Sequence, residues 1–316
     1  MSSSPSEMSS ALLALSNNLA DTVEQAGRAV VAVNARRRIP SSGVHWRSGV
    51  IVTADQTVKR DEEITVTLPD NRTVPATLAG RDSSTDLAVL KLQDLETSDI
   101  ASLPTAEIGD TSSLKVGHLV LAVARPGESG LSASMGVVSA LSGGWRTWSG
   151  GQIDQFVRLD LTLYPGFSGG PLVDASGRVV GINTSGPRHM VLTIPASTVN
   201  RVINGILEKG RIARGYLGLG MQPVHLPDTL KNTLNLPSNG GVIVVNVEPN
   251  GPADQAGVLI GDVLLSLDGT PVNDTGDVQK MLGPDSVGKT VSVQIVRGGA
   301  LAEVAIAVSE RSWKEE

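Results

Sequence analysis

Ser168 stands in the string Gly166-Phe167-Ser168-Gly169-Gly170-Pro171-Leu172. A serine set among glycines in a sharp turn exposes its Oγ and lets neighbouring backbone N–H groups converge on one point. Acyl transfer has those two requirements: a nucleophile, and donors that stabilise a developing oxyanion. The same string is also an ordinary turn, so its flanks matter. Leu172-Val173-Asp174 and Val179-Val180-Gly181-Ile182-Asn183, joined through Ala175-Ser176-Gly177, read as a strand–turn–strand unit behind the serine. Asp86 is the second candidate. It opens the otherwise apolar stretch Leu87-Ala88-Val89-Leu90-Lys91-Leu92, where by itself it reads as a strand-initiating turn residue.

Elements that could hold these groups follow from composition and period. The 316 residues are 40% hydrophobic and 18% charged, which supports two domains with sizeable cores and excludes global disorder. Aromatics are only 3%, so the cores must be built from Val, Ile, Leu and Ala. With 35 Gly and 17 Pro, many turns and short strands are expected. Strands are predicted at 48–53, 63–68, 73–78, 87–92, 118–123, 156–161 and 178–183, the second and third as a hairpin around Pro69-Asp70-Asn71-Arg72. Strands so numerous and short argue for a sandwich or barrel. A helix is predicted over 197–208, with Val199, Val202, Ile203 and Ile206 on one face and Gly210 as its stop. It marks a domain boundary. Beyond it, strands are expected at 242–247, 263–267 and 291–296, and a helix at 277–282. Residues 1–10 read as a disordered tail, 12–31 as helix-like passing into a strand, and Arg36-Arg37-Arg38 as a solvated loop.

These segments together resemble the HtrA/Deg family of chymotrypsin-fold serine proteases, and the resemblance covers most of the chain. It runs through 48–53, 85–92, 166–172 and Gly181-Ile182-Asn183-Thr184. It continues into Tyr216-Leu217-Gly218-Leu219, Gly251-Pro252-Ala253-Asp254-Gln255-Ala256-Gly257, Gly261-Asp262-Val263-Leu264-Leu265 and Asp268-Gly269, which look like a PDZ module. The resemblance implies a mainly β chain: a chymotrypsin-like double six-stranded β-barrel followed by a PDZ domain. The division expected is a flexible segment 1–20, a trypsin-like protease domain 21–210, a PDZ domain 211–310 and a tail 311–316. Carried over residue by residue, Ser168 takes the nucleophile position and Asp86 the carboxylate that orients an imidazole. The N–H groups of Gly166 and Ser168 take the oxyanion hole. Asp160 with Thr162, Leu163 and Tyr164 lies on the strand and loop that shape the substrate pocket. With no acidic residue facing in, the pocket should prefer small to medium apolar side chains before the scissile bond.

One position breaks the pattern. Where the family has Val-Thr-x-x-His, this chain reads Val52-Thr53-Ala54-Asp55-Gln56, so Gln56 occupies the place of the general base. A carboxamide has no nitrogen that titrates near neutral pH and cannot take the serine proton. It can still donate a hydrogen bond to Asp86. An engineered substitution and a natural pseudoprotease both fit. The expected function is therefore an HtrA-type endopeptidase of protein quality control, strongly impaired in this chain; the alternative is a non-catalytic, chaperone-like peptide binder. Of the four histidines, His45, His118, His189 and His225, His45 is expected opposite Val50, about 20 Å along the strand from Gln56 at ~3.3 Å per residue. His189 follows in a loop that could line the cleft and is kept as a substitute base.

In the second domain the resemblance implies that Tyr216, Leu217, Gly218 and Leu219 present backbone N–H groups to a peptide carboxylate, with Arg214 assisting. Leu219 and Met221, with Val278, Met281 and Leu282, would form the pocket for the last side chain, although Val278 and Leu282 are equally readable as core. Expected partners are unfolded polypeptides and peptide C-termini, in a homotrimer, although no aromatic side chain precedes Trp46 to make the family's N-terminal contacts. Trp145 and Trp148 read either as regulatory-loop anchors or as loop core. No metal and no cofactor is expected; zero Cys excludes disulfides, thiolate zinc sites and a cysteine nucleophile. A net charge of −6 gives no general attraction to nucleic acid. No stretch approaches the ~18 apolar residues of a membrane span. The compartment is open: cytoplasmic if Met1 is the native start, extracytoplasmic if the chain has been trimmed.

Overall fold

A computed structural model describes residues 5–127, 130–147, 150–186, 190–210, 212, 215–283 and 286–310. The chain divides into two compact units, Met1–Ile212 and Ala213–Glu316.

The first unit holds two closed six-stranded barrels, as expected from the double-barrel resemblance. After helix α1 (Pro5–Gly27), the first barrel comprises β1 (Val30–Asn34), β2 (Ser41–Arg47), β3 (Val50–Ala54), β4 (Ile64–Thr67), β5 (Thr73–Asp82) and β6 (Leu87–Leu92). They close in the order β1-β2-β3-β6-β5-β4. A short helix α2 (Thr97–Ser102) leads to the second barrel. This is built from β7 (Leu119–Ala124), β8 (Ser132–Ser142), β11 (Phe156–Asp160), β12 (Pro171–Asp174), β13 (Val179–Ser185) and β14 (Val191–Pro195). Two short strands, β9 (Trp145–Arg146) and β10 (Gln152–Ile153), pair with each other. Helix α3 (Ala196–Lys209) ends the unit, with Gly210 as its left-handed cap at φ +73°.

Several strands read as unbroken apolar runs because both of their faces are buried. Along β3, Val50 and Val52 face a cluster between the barrels while Ile51 faces the barrel interior. Leu87 and Val89 of β6 face the same inter-barrel seam, and Ala88 and Leu90 the interior. In the second barrel, Leu121, Val123, Val173 and Ile182 join the seam, and Val120, Leu172 and Val180 fill the interior. Val199, Val202, Ile203 and Ile206 of α3 complete the seam, so one apolar cluster joins both barrels to the closing helix. Where only one face is buried, as in β4 and the first half of β5, burial alternates residue by residue.

The expectations for local structure meet several corrections. The tail expected over 1–10 is helical from Pro5 onward. Proline fits a first helical turn, and the helix is anchored at its far end by Leu19, Val23 and Ala26 against the seam. Leu12, Leu13 and Leu15 lie exposed on it. The strand expected at 48–53 begins only at Val50, because Gly49, at φ +71°, makes the turn out of β2. His45 pairs with Ile51 rather than Val50, owing to a bulge between His45 and Arg47. Trp145 is core: it packs on the seam and edge-on against Phe156 at 5.7 Å. Trp148 lies outside the described residues.

The second unit carries β15 (Gly215–Tyr216), β16 (Leu219–His225), α4 (Asp228–Leu234), β17 (Gly240–Val247), α5 (Pro252–Gln255), β18 (Val263–Leu267), β19 (Thr270–Pro271), α6 (Thr275–Met281), β20 (Thr290–Arg297), β21 (Ala300–Ala307) and β22 (Ser309–Glu310). Its main sheet runs β16-β17-β18-β20-β21, which leaves β16 at an edge with α6 packed on it.

Replacing Ile203 by Ala should test the seam. The side chain is fully buried there, so the expected loss is about 2–5 kcal/mol, read as a lower denaturant midpoint by tryptophan fluorescence. A midpoint equal to that of the parent chain would show that the seam does not hold the barrels together.

Candidate active site

Ser168 sits in the loop between β11 and β12, and glycines shape that loop for steric reasons. Gly169 is left-handed at φ +86°, and a Cβ there would lie 2.3 Å from both the Ser42 carbonyl oxygen and Thr53 Oγ1. Gly166 is left-handed at φ +92°, with a Cβ position 2.6 Å from Pro126. Only glycine meets both demands. Hydrogen bonds from both barrels then pin the loop. Ser42 Oγ donates to the Gly166 carbonyl at 2.7 Å, and Thr53 Oγ1 donates to the Ser42 carbonyl at 2.7 Å. From the other side, the Gly169 N–H donates to the Asn183 carbonyl at 2.9 Å and the Asn183 N–H to the Gly170 carbonyl at 2.9 Å.

Most N–H groups of the loop are occupied: Phe167 donates to Tyr164, Gly169 to Asn183 and Gly170 to Phe167. Among the described residues, those of Gly166 and Ser168 have no acceptor. They are the two that sequence reasoning assigned to an oxyanion hole, and a pair of unspent donors flanking a hydroxyl is the arrangement such a hole requires.

Asp86 and Gln56 come from the first barrel. Gln56 lies on the short 3-10 turn Asp55–Thr57, which caps β3, and Asp86 immediately precedes β6, the strand paired with β3. Asp86 adopts φ +56°, a left-handed conformation that Asp tolerates better than most residues. Its carbonyl accepts from the Asp55 N–H at 3.1 Å, which ties the two turns together. The Asp86 carboxylate accepts from the Gln56 N–H at 2.7 Å and from Gln56 Nε2 at 3.0 Å. Thr184, from β13 of the second barrel, donates its hydroxyl to the same carboxylate and accepts from Gln56 Nε2 at 2.8 Å. Both amide hydrogens of Gln56 are thereby spent, and among the described residues no hydrogen bond joins Gln56 to Ser168. Burial raises the Asp86 carboxyl above its usual range; the Thr184 and Gln56 donors oppose that rise by favouring the ionised form, and nearby Asp55 adds to it.

The other histidines divide as follows. His45 is buried, its Nε2 accepts from the Gly49 N–H at 3.0 Å, and its Nδ1 therefore donates to the Pro104 carbonyl at 2.8 Å. Burial lowers its pKa, against the pull of that carbonyl. With both nitrogens engaged in a turn, it is a structural histidine. His118 accepts from the Lys115 N–H at 3.3 Å, and His225 lies in the second unit. His189, kept as a possible base, lies outside the described residues, as does Arg214.

The expected pocket residues separate. Leu163 and Tyr164 line the cleft that holds Ser168, whereas Thr162 does not line it and is exposed. Tyr164 stands edge-on to Phe167 at 5.6 Å, which fixes the loop from outside. Four participants escaped sequence reasoning. Ser42, Thr53 and Thr184 left no local signal, since each acts through a partner on another strand or loop. Residues 36–38, read as a solvated loop, line the Ser168 cleft instead.

In the second unit, the Leu217 and Gly218 carbonyls are tied inward, to the Ala253 N–H at 2.9 Å and the Glu248 N–H at 2.8 Å. Among the described residues, the N–H groups of Leu217 and Gly218 have no backbone acceptor. Tyr216 donates its hydroxyl to Glu248. Val278 is fully buried core, while Leu219, Met221, Met281 and Leu282 are half-buried along the junction of β16 and α6.

Comparison with known proteins adds the lineage. Residues 41–182 match the model for a trypsin-like peptidase domain and residues 215–308 that for a PDZ domain. A putative serine protease HhoA of Synechocystis is 31% identical over 287 residues, covering 86% of this chain and 71% of that protein. A probable periplasmic DegP-like serine endoprotease of Halomonas elongata is 32% identical over 281 residues, 87% of this chain. The chain spans about half the length of the DegP-like relatives it matches, 57% of that one. The crystal structure of a serine endoprotease from Yersinia pestis superposes with a TM-score of 0.73 at 30% identity, covering 92% of this chain and 97% of its own. The HtrA-type protease AlgW with a decapeptide superposes at 0.72 and 28% identity, covering 93% and 98%.

The Asp86 cluster has a pH signature. A carboxyl raised above its unfolded-state value favours the fold below that unfolded value, and this contribution is lost as pH rises through the raised one. Thr184→Val removes a donor to the ionised form, so it should push the Asp86 pKa higher still and cost about 1–3 kcal/mol at neutral pH. The cost should shrink on acidification, once Asp86 is protonated in the folded chain. Urea unfolding of parent and variant on both sides of that titration checks it; a loss independent of pH would mean that Thr184 does not serve the carboxylate.

Proposed function

The chain belongs to the HtrA/DegP family of trypsin-like serine endoproteases with a PDZ domain, and from that premise we propose that it is a protease scaffold which captures unfolded polypeptide and hydrolyses it barely, because Gln56 replaces the general base. The observation that carries this reading is the hydrogen bonding of Gln56: both amide hydrogens rest on Asp86 and Thr184.

In the full reaction, Ser168 Oγ bonds to the scissile carbonyl carbon while its proton passes to a base, and the carbonyl oxygen takes up charge between the N–H groups of Gly166 and Ser168. The C–N bond then breaks, the amine leaves with the proton, and water cleaves the acyl-enzyme. Gln56 cannot perform the proton transfers, since its amide nitrogen has no available lone pair. It does conserve the imidazole's other duty, donating to Asp86, so the fold keeps a satisfied carboxylate. Loss of such a base in a serine protease costs roughly 10⁶ in turnover, leaving ~10³–10⁴ over water from binding and the oxyanion hole. Leu163 and Tyr164, with no acidic residue among the described residues that line the cleft, support a preference for small to medium apolar side chains before the scissile bond.

A second reading, a pure peptide binder, is favoured by the second unit. Its edge strand β16 and the unspent N–H groups of Leu217 and Gly218 suit a peptide that adds as a strand and ends in a carboxylate. Leu219, Met221 and Met281 would receive its last side chain.

Two measurements separate the readings. Gln56→His should restore fluorophosphonate labelling of Ser168 and raise casein turnover by at least about 10³-fold, with cleavage mainly after apolar residues. An inert variant would leave only the binding reading, and cleavage after Lys or Arg would refute the pocket assignment. A peptide ending in an apolar residue should bind the parent chain weakly and lose binding when its C-terminus is amidated; equal binding of the amide would remove the carboxylate role of residues 216–219.

A further inference from the structure

Arg36, Arg37 and Arg38 lie in the loop between β1 and β2, and that loop forms one wall of the cleft of ≈ 590 Å³ that contains Ser168. Residues 163–166 form the facing wall, and no Asp or Glu is among the described residues that line it. The three arginines are not equivalent. Arg36 is spent on the loop itself: its Nε donates to the Ile39 carbonyl and its Nη2 to the Pro40 carbonyl at 3.3 Å. This staples the loop into a fixed turn. Arg37 and Arg38 are exposed and, among the described residues, have no hydrogen-bond or ion-pair partner. The backbone just after them is anchored to the loop of the nucleophile. The Pro40 carbonyl lies 3.1 Å from where a Cβ of Gly166 would be, and Ser42, at the start of β2, bonds the Gly166 carbonyl at 2.7 Å. Two guanidinium groups without partners among the described residues thus line the cleft that contains Ser168, in a protein whose net charge is −6.

The geometry points to Arg37 and Arg38 as a specificity element: they bind acidic side chains of a polypeptide lying in the Ser168 cleft, close to the bond addressed by the serine. Guanidinium groups suit carboxylates because their forked donors match both oxygens. Placed at the cleft rim, they act in high dielectric, so the preference is modest and sensitive to salt. The apolar pocket at Leu163 and Tyr164 sets the residue before the scissile bond, and the arginines add a charge requirement near it. This rests on the reading of the cleft as a polypeptide site, but not on the competence of the chemistry.

The test uses the full chain and fluorescent peptides with amidated C-termini, which removes any carboxylate-dependent capture by the second unit. Peptides share one apolar core and carry either two Asp residues or two Asn residues, scanned along the sequence; binding is read by anisotropy at low and high salt. The Asp peptides should bind about 3- to 10-fold tighter at low salt, with the difference collapsing at high salt. The double variant R37E/R38E should reverse the preference, and R37Q/R38Q should abolish it. Both exchange exposed side chains, and circular dichroism checks that each variant folds. The favoured Asp peptide should also slow fluorophosphonate labelling of Ser168 in Gln56→His. Equal binding of Asp and Asn peptides, no binding of either, or a preference that survives R37E/R38E would overturn the inference. If Gln56→His is labelled and cleaves casein without any acidic bias, the protease reading stands and the arginine role falls. If the variant stays inert while charge-dependent binding persists, the arginine role stands and the protease reading falls.

Discussion

Gln56 and Asp86 ride on one barrel, Ser168 and Thr184 on the other, and the apolar seam between the barrels is the constraint on which the site depends. The seam is built from alternate residues of strands whose remaining residues fill the barrel interiors, and it is closed by α3. Close packing of this kind resists small displacements. Above it, a few polar groups make the registration specific: Thr184 reaches across to the Asp86 carboxylate, and Ser42 reaches across to the Gly166 carbonyl. Hydrophobic burial supplies the free energy and hydrogen bonds supply the alignment.

At Gln56, hydrogen bonding and proton transfer make different demands on one side chain. The glutamine amide adds a third donor, beside its own backbone N–H and the Thr184 hydroxyl, to a half-buried carboxylate, which matters because unsatisfied buried charge is costly. Proton transfer needs something else, a nitrogen that accepts and releases a proton near neutral pH, and no hydrogen bonding compensates for that. Around Gln56, the N–H groups of Gly166 and Ser168 have no acceptor among the described residues, and residues 36–38 line the cleft that contains Ser168. Binding and chemistry draw on different atoms here.

Legibility in the sequence followed the length scale of the cause. The hairpin of β4 and β5 and the helix α3 were readable because period, turn residues and cap lie within a few residues of one another. β8, rich in Ser and Ala, and β21, five of whose eight residues are exposed, gave weaker period signals and went unread. The tail at 5–10 became helix because packing at the far end of α1 stabilises a helix that its own composition does not announce. His45 could be placed beside β3 from the turn, but the bulge after it shifted its partner, and only the Pro104 carbonyl explains its buried ring.

By itself the sequence determined the chemistry available: a serine in a glycine turn and an aspartate opening a strand, to which the family resemblance added the expectation of a base at the position held by Gln56. These are properties of residue type and local spacing, and they survive any rearrangement of the chain. Tertiary structure alone decided which groups meet. Closure of two barrels around one seam brings Thr184 to Asp86 from 98 residues away and Ser42 to Gly166 from 124. The same closure turns residues 36–38 from a solvated loop into a wall of the cleft, because proximity in a barrel is set by strand pairing and not by distance along the chain.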